Sequence, residues 1–187
     1  MQPAAVHTLP GDERFCVRPL ERTDRTAYVA GFERLSANTR YLRFASPKPR
    51  LTSSDLRYLL DIDHDRHEAL VAYECRTGSA VGVARYVRDA SDPRVAEVAI
   101  TVLDEWQGQG IGGRLLADLT AQAARRGVET LRADVLRANA RAIRLLRRGG
   151  WSVVEAEGLM LTLERPLHSP APASAAAAGS SSAAISP

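Results

Sequence analysis

The hydrophobic positions along the chain change their period several times, and each change marks an element boundary. "RFCVRPL" alternates and stops at Pro19, which predicts a short strand. "TDRTAYVAGFERL" then carries Tyr28, Phe32 and Leu35 at helical spacing behind Thr23 or Asp24, either of which suits a helix cap. "SANTRYLRF" reads as a second helix or pair of turns, and "SSDLRYLLDI" as a third helix with a serine cap. Three alternating runs follow, "HEALVAYEC", "AVGVARYVRD" and "VAEVAITVL". The connectors "RTGS" and "ASDPR" suit hairpins and predict an antiparallel meander. From about Gly110 to Arg126 the period is helical, with Ile111, Leu115, Leu116, Leu119 and Ala123 on one stripe. "TLRADVL" predicts a strand, Asn139 caps or begins a helix that buries Ala142, Leu145, Leu146 and Gly149, and "WSVVEA" with "LMLTL" closes the chain as a strand pair.

That order of elements predicts an α/β fold of the α+β kind: a mixed, mostly antiparallel sheet with helices on both faces. Residues 1–12 are expected as a loose arm, 13–165 as one folded domain, and 166–187, rich in Ala, Ser and Pro, as a disordered tail. No run of about 18 apolar residues is present, and the first residues lack the order of a signal peptide, so no membrane contact and a cytoplasmic location are expected. Cys16 and Cys75, far apart and without metal-ligand spacing, are expected as reduced, buried thiols. "HDRH", with His64 and His67, is expected at a surface turn, and no metal site is expected.

Charge is unevenly placed. Residues 107–150 hold 9 basic and 3 acidic groups, whereas 1–106 hold 15 and 16. The positive excess therefore follows "QGQGIGG", where four glycines fall within Gly108–Gly113. A strand that enters a helix through such a joint leaves unpaired amides at the positive end of the helix dipole, and glycines let an anion approach the backbone. A pyrophosphate is the fitting guest. The nucleotide-hydrolase loop is set aside because Gly113 is followed by Arg114 and Leu115 rather than Lys and Ser/Thr. The dinucleotide fingerprint is set aside because this loop follows a meander rather than a first strand. The charge carries no helix-turn-helix or zinc spacing, so no nucleic-acid partner is expected.

Glu97 interrupts the alternation differently. It shares a strand face with Ala99 and Thr101, opposite Ala96, Val98, Ile100 and Val102, and a carboxylate in an interior strand is costly unless it meets a cavity.

Two motifs then point to one family. "QGQGIG", in the form Q-x-x-G-x-G, and "NARAIRLLRRGGW", with Asn139, Ala142, Ile143, Gly150 and Trp151 in register, resemble the GNAT superfamily of N-acetyltransferases over roughly residues 14–165. "LSANTRYLRF", "DIDHDRHEALVA" and the A-E-x-A at Ala96–Ala99 are similar to its bacterial protein lysine acetyltransferase branch. The resemblance implies acetyl-CoA as co-substrate and an amine acceptor, either a protein lysine or a small molecule. It implies that the backbone near Ile100 and Val102 holds the pantetheine arm. Gln107, Gly108, Gln109, Gly110, Ile111, Gly112 and Gly113 would hold the pyrophosphate, with Asn139 and Arg114 beside it and Arg141 and Arg144 as further phosphate partners. Glu97 would be the general base of a direct ternary-complex transfer. The family's usual tyrosine is replaced by Leu146, which leaves no dedicated acid and gives weight to a second class, a non-catalytic acyl-CoA-binding module. Either a monomer or a homodimer is compatible with the chain.

Overall fold

A computed structural model describes residues 7–9 and 12–167. Its strands are β1 (His7–Leu9), β2 (Asp12–Pro19), β3 (His67–Glu74), β4 (Ala80–Arg88), β5 (Val95–Val102), β6 (Thr130–Leu136), β7 (Ser152–Glu157) and β8 (Met160–Pro166). The helices are α1 (Arg25–Arg34), α2 (Ala37–Phe44), α3 (Ser53–Leu60), α4 (Ile111–Arg125) and α5 (Ala140–Arg148). The eight strands form one sheet in the order β1-β2-β3-β4-β5-β6-β8-β7, antiparallel except for β5 beside β6.

The two sheet faces are covered by different parts of the chain. Leu115, Leu116, Leu119 and Ala123 of α4 and Leu146 of α5 are buried against Ala84, Tyr86, Ala96, Val98, Leu131 and Ala133. On the other face Leu56 and Leu60 of α3 bury Ala69 and Val71, with Tyr28 and Val29 of α1 packed alongside. This is the mixed, helix-covered sheet that the periodicities predict.

Capping fixes where the helices start. Ser36 accepts from the Thr39 amide at α2, and Thr52, rather than a serine, accepts from the Asp55 amide at α3 while Asp55 reaches back to the Thr52 amide. Asp24 stands at the N-cap of α1 without bonding to it. Its carboxylate is taken by both terminal nitrogens of Arg18, at 2.8 and 2.6 Å, and by the Glu21 amide.

Three expectations are corrected. Within the expected loose arm, His7–Leu9 forms a strand paired with β2, because the β2 edge offers free backbone partners there. The cysteines are not free thiols: Cys16 and Cys75 form a disulfide with a Cα–Cα distance of 5.5 Å. Their separation of 59 residues hides a simple cause, the antiparallel pairing of β2 with β3, which sets Cys16 opposite Tyr73 and Cys75 beside Arg14. His67 is buried in β3 rather than at a surface turn, while His64 sits at a half-exposed turn with φ of 57°. The tail beyond residue 167 lies outside the described residues.

Candidate acyl-donor and acceptor sites

The glycine joint is built by backbone conformation. Gly108 and Gly110 have φ of 82° and 86°, in the left-handed region that favours glycine. Gly110 stands at the N-cap of α4, and the first bond of the helix runs from the Arg114 amide to the Gly110 carbonyl at 3.1 Å. Among the described residues the amides of Ile111, Gly112 and Gly113 consequently have no backbone acceptor, and they point out of the positive end of a 15-residue helix. At Gly112 the matter is close packing instead: a Cβ there would stand 3.3 Å from the Leu145 side chain, which would have to shift slightly, and in ordinary contact with Ile100 at 3.7 Å and Val102 at 3.8 Å. Helix α4 can therefore sit close to both β5 and α5.

Beside this joint the sheet opens. β5 and β6 pair only at Val95–Thr130, Ala96–Leu131 and Glu97–Arg132, after which β6 continues alongside β8 over all seven of its residues. The Leu103 amide bonds to Val81 on the β4 side at 2.9 Å. Strand alternation then turns the peptide groups of Val98, Ile100 and Val102 toward the opening, as the resemblance requires. The Ile100 peptide is free to pair with an extended ligand there. The Val102 carbonyl is already occupied, by the Gln107 side-chain amide at 2.9 Å.

Several residues expected to touch the co-substrate are engaged with one another. Gln107 donates to Val102 and accepts from Arg141, joining β5 to α5 across the mouth of the opening. Gln109 donates to the Glu105 carbonyl, and Arg114 pairs with Asp118 one turn along α4. Asn139 accepts from the Ala142 amide as the cap of α5, which commits its oxygen and leaves its NH2 group. Arg144 is exposed. The structure thus sets the amides of residues 111–113 and the Ile100 peptide on elements that meet where Gly112 packs near Ile100, while Gln107 links β5 to α5, Gln109 bonds within the joint, Arg114 within α4, and Asn139 caps α5.

Glu97 lies on the other side of the same strand. Its side chain shares the face of Ala99 and opens onto a cavity of about 210 Å³ under α2 and α3, whose wall includes Arg43, Phe44, Asp55, Tyr58 and Arg85. A second, mostly apolar cavity of about 100 Å³ lies beneath α1, and Arg43 and Phe44 border both. Arg85 is 3% exposed and donates to the Leu59 carbonyl (3.0 Å), His67 Nε2 (3.1 Å) and the Tyr28 hydroxyl (3.1 Å). Burial, and then the charge of Arg85, push His67 down to about 4, so that it is neutral and accepts through Nε2. Arg85 was absent from the sequence-derived candidates. A signal existed: it shares parity with Val83 and Val87, so an arginine stands in an otherwise apolar row of β4.

An open helix N-terminus beside a divergent pair of parallel strands, with an exposed carboxylate on a cavity wall behind one of them, is the arrangement that the sequence resemblance implies for an acyltransferase. The chain belongs to the Acetyltransferase (GNAT) family, whose model matches residues 35–151. It is 35% identical over 152 residues to acetyltransferase Pat of Mycolicibacterium smegmatis, covering 80% of this chain and 45% of that protein. The chain thus spans about half the length of that curated relative. The GNAT domain of S. lividans PAT superposes with a TM-score of 0.80 at 29% identity, over 87% of this chain and 96% of that one. YncA from Salmonella typhimurium, solved with its cofactor acetyl-CoA, shares the fold with a TM-score of 0.69 at 20% identity, over 84% and 96%.

Proposed function

We propose that this chain transfers the acetyl group of acetyl-CoA to a primary amine, a lysine side chain of a protein substrate, with Glu97 receiving the amine proton. The observation that carries this reading is the division of β5: alternate peptide groups address the opening toward β6, while Glu97 addresses the cavity behind it. Acetyl-CoA fits the first side on structural grounds, because the amides of residues 111–113 are unbonded at a helix start and glycine keeps the approach clear. When bound it supplies an acyl thioester, whose carbonyl carbon the amine nitrogen attacks.

The protein's own residues account for the rest. A lysine amine, with a reference pKa near 10.4, is almost wholly protonated at neutral pH, so a base must take its proton before nitrogen can attack. Glu97 is the carboxylate on the cavity wall free for that work, since Asp55 is held by Lys48 and Thr52. Leu146 is buried in the main core and brings no hydroxyl, so the departing sulfur takes its proton from water or leaves as thiolate. The likeness to Pat favours a protein lysine. The cavity volume of about 210 Å³ favours, as a second reading, a small-molecule amine.

Thiol release from acetyl-CoA, measured with and without lysine-containing proteins and small amines, tests the proposal. Acceptor-dependent release is expected. Tight acetyl-CoA binding without release for any acceptor would replace the transferase by a sensor of acyl-CoA.

A further inference from the structure

We propose that Arg43 and Arg85 form a carboxylate subsite next to Glu97, so that the preferred acceptor is an amine carrying an acidic group close to its nitrogen. This deepens the transferase reading of the Glu97 cavity and rests on it.

Charge on the cavity wall is unbalanced. Of its two carboxylates, Asp55 is already neutralised: Lys48 bonds to it at 2.7 Å, and the Thr52 amide and hydroxyl each donate to it at 2.7 Å. The Lys48 hydrogen bond, with those from Thr52, holds Asp55 down at about 2, so it stays ionised and committed to these partners. Glu97 then faces two guanidinium groups. Among the described residues neither Arg43 nor Arg85 makes an ion pair. Arg85 commits three of its five donors to a carbonyl, a neutral imidazole and a phenol, none of which offsets its charge. Arg43 lies over the Phe44 ring at 4.9 Å, and burial, reinforced by the charge of Arg85 and opposed by Glu97, holds it below the usual arginine range.

A buried cation such as Arg85 is costly without a counter-charge, and the half-buried Arg43 adds a second positive charge to the same wall. The deficit is one negative charge, on a wall where Arg85 of β4 stands opposite Ala99 and so diagonal to Glu97. An ammonium meets Glu97, and a carboxylate on the same molecule meets the planar, multiply donating guanidiniums, which suit carboxylate geometry. A neutral or purely cationic amine would satisfy only half of the wall. The carboxylate has two possible sources: an Asp or Glu beside a protein lysine, or the carboxyl group of a small amino acid.

Matched acceptor pairs separate these outcomes, with thiol release from acetyl-CoA as the readout and direct acetyl-CoA binding as a control. One pair is β-alanine and β-alaninamide, and the other is a lysine peptide flanked by Glu and its Gln counterpart. The acidic member of one pair is expected to be favoured about 10- to 100-fold in kcat/KM, the size of a charge-assisted bond. The pair that shows the preference identifies the source. Arg43→Gln and Arg85→Gln should each collapse the preference without changing acetyl-CoA affinity. Arg43 is partly exposed at the end of α2, so its variant still decides the matter if the Arg85 variant does not fold. Equal rates within both pairs, or a preference that survives Arg43→Gln, overturn the carboxylate subsite and leave the transferase standing. No release with any acceptor, while acetyl-CoA still binds, overturns both.

Discussion

The Gln107 side chain donates to the Val102 carbonyl at 2.9 Å and so closes the last peptide group of β5 that points into the sheet opening. Its oxygen accepts from Arg141, which ties the start of the glycine joint to α5. Gln107→Leu removes both bonds and leaves a partly buried carbonyl without its donor. The expected result is an acetyl-CoA dissociation constant raised about 10-fold, consistent with loss of one well-placed hydrogen bond. Calorimetric titration checks it, and unchanged affinity would reduce Gln107 to a bystander.

Glu97→Gln keeps the size and polarity of the side chain but cannot accept a proton. Turnover should fall roughly 100-fold or more, on the scale of general-base catalysis, with acetyl-CoA affinity nearly unchanged because the two groups lie on opposite sides of β5. A full-rate variant between pH 6 and 9 would remove Glu97 from proton transfer.

At Gly110 the cost of a side chain is conformational. No atom lies within 4 Å of a Cβ built there, yet φ is +86°, which a β-branched residue resists. Gly110→Val should weaken acetyl-CoA binding by re-angling the amides of residues 111–113, while the melting temperature drops by only a few degrees for the roughly 1–2 kcal/mol of strain. Wild-type affinity in this variant would contradict the role of the joint.

His67 couples stability to pH. Its folded value of about 4 lies below the reference 6.5, so the unfolded chain binds the extra proton between those values. The stability contributed by the neutral, buried ring is complete above about pH 6.5 and is lost as pH falls toward 4. The full loss amounts to about 3 kcal/mol. Urea unfolding at stepped pH should show this slope in the wild type and a shallower one in His67→Phe; identical slopes would assign the acid sensitivity elsewhere.

The Cys16–Cys75 bond closes a long loop, with 59 residues of separation, and should stabilise the fold by about 2–4 kcal/mol through the unfolded chain. Thermal melts with and without reductant, compared with the Cys16→Ser/Cys75→Ser chain, measure it. The doubly substituted chain should melt at the reduced temperature in both buffers.

Much of this architecture was legible because helix and strand periods report each residue's own burial. "TLRADVL" occupies β6 with the same ends, Asn139 caps α5, and the stripe Ile111, Leu115, Leu116, Leu119 and Ala123 is buried as one face. What was not legible depends on pairings between distant segments. The disulfide follows from the register of β2 on β3, and the neutral His67 follows from Arg85 standing diagonal to it on the adjacent strand, where β4 sets Val87 opposite His67 and Arg85 opposite Ala69. The bonds of Gln107 and Gln109 were equally hidden. A glycine motif shows where an anion can approach, whereas the side chains between its glycines turn inward to partners no local spacing names.

The divided character of β5 also constrains how the sheet tolerates error. Seven consecutive pairs, Gly82–Val102 through Arg88–Ala96, lock β5 against β4 without a shift. Displacement by a single residue would drive the Glu97 carboxylate toward Leu115 and Leu119 and present Val98 to the cavity beneath α2 and α3. Strand register is thus the device that keeps the two sides of β5 apart, the opening toward β6 and the cavity at Glu97, and the short ladder to β6 leaves room for one without loosening the other.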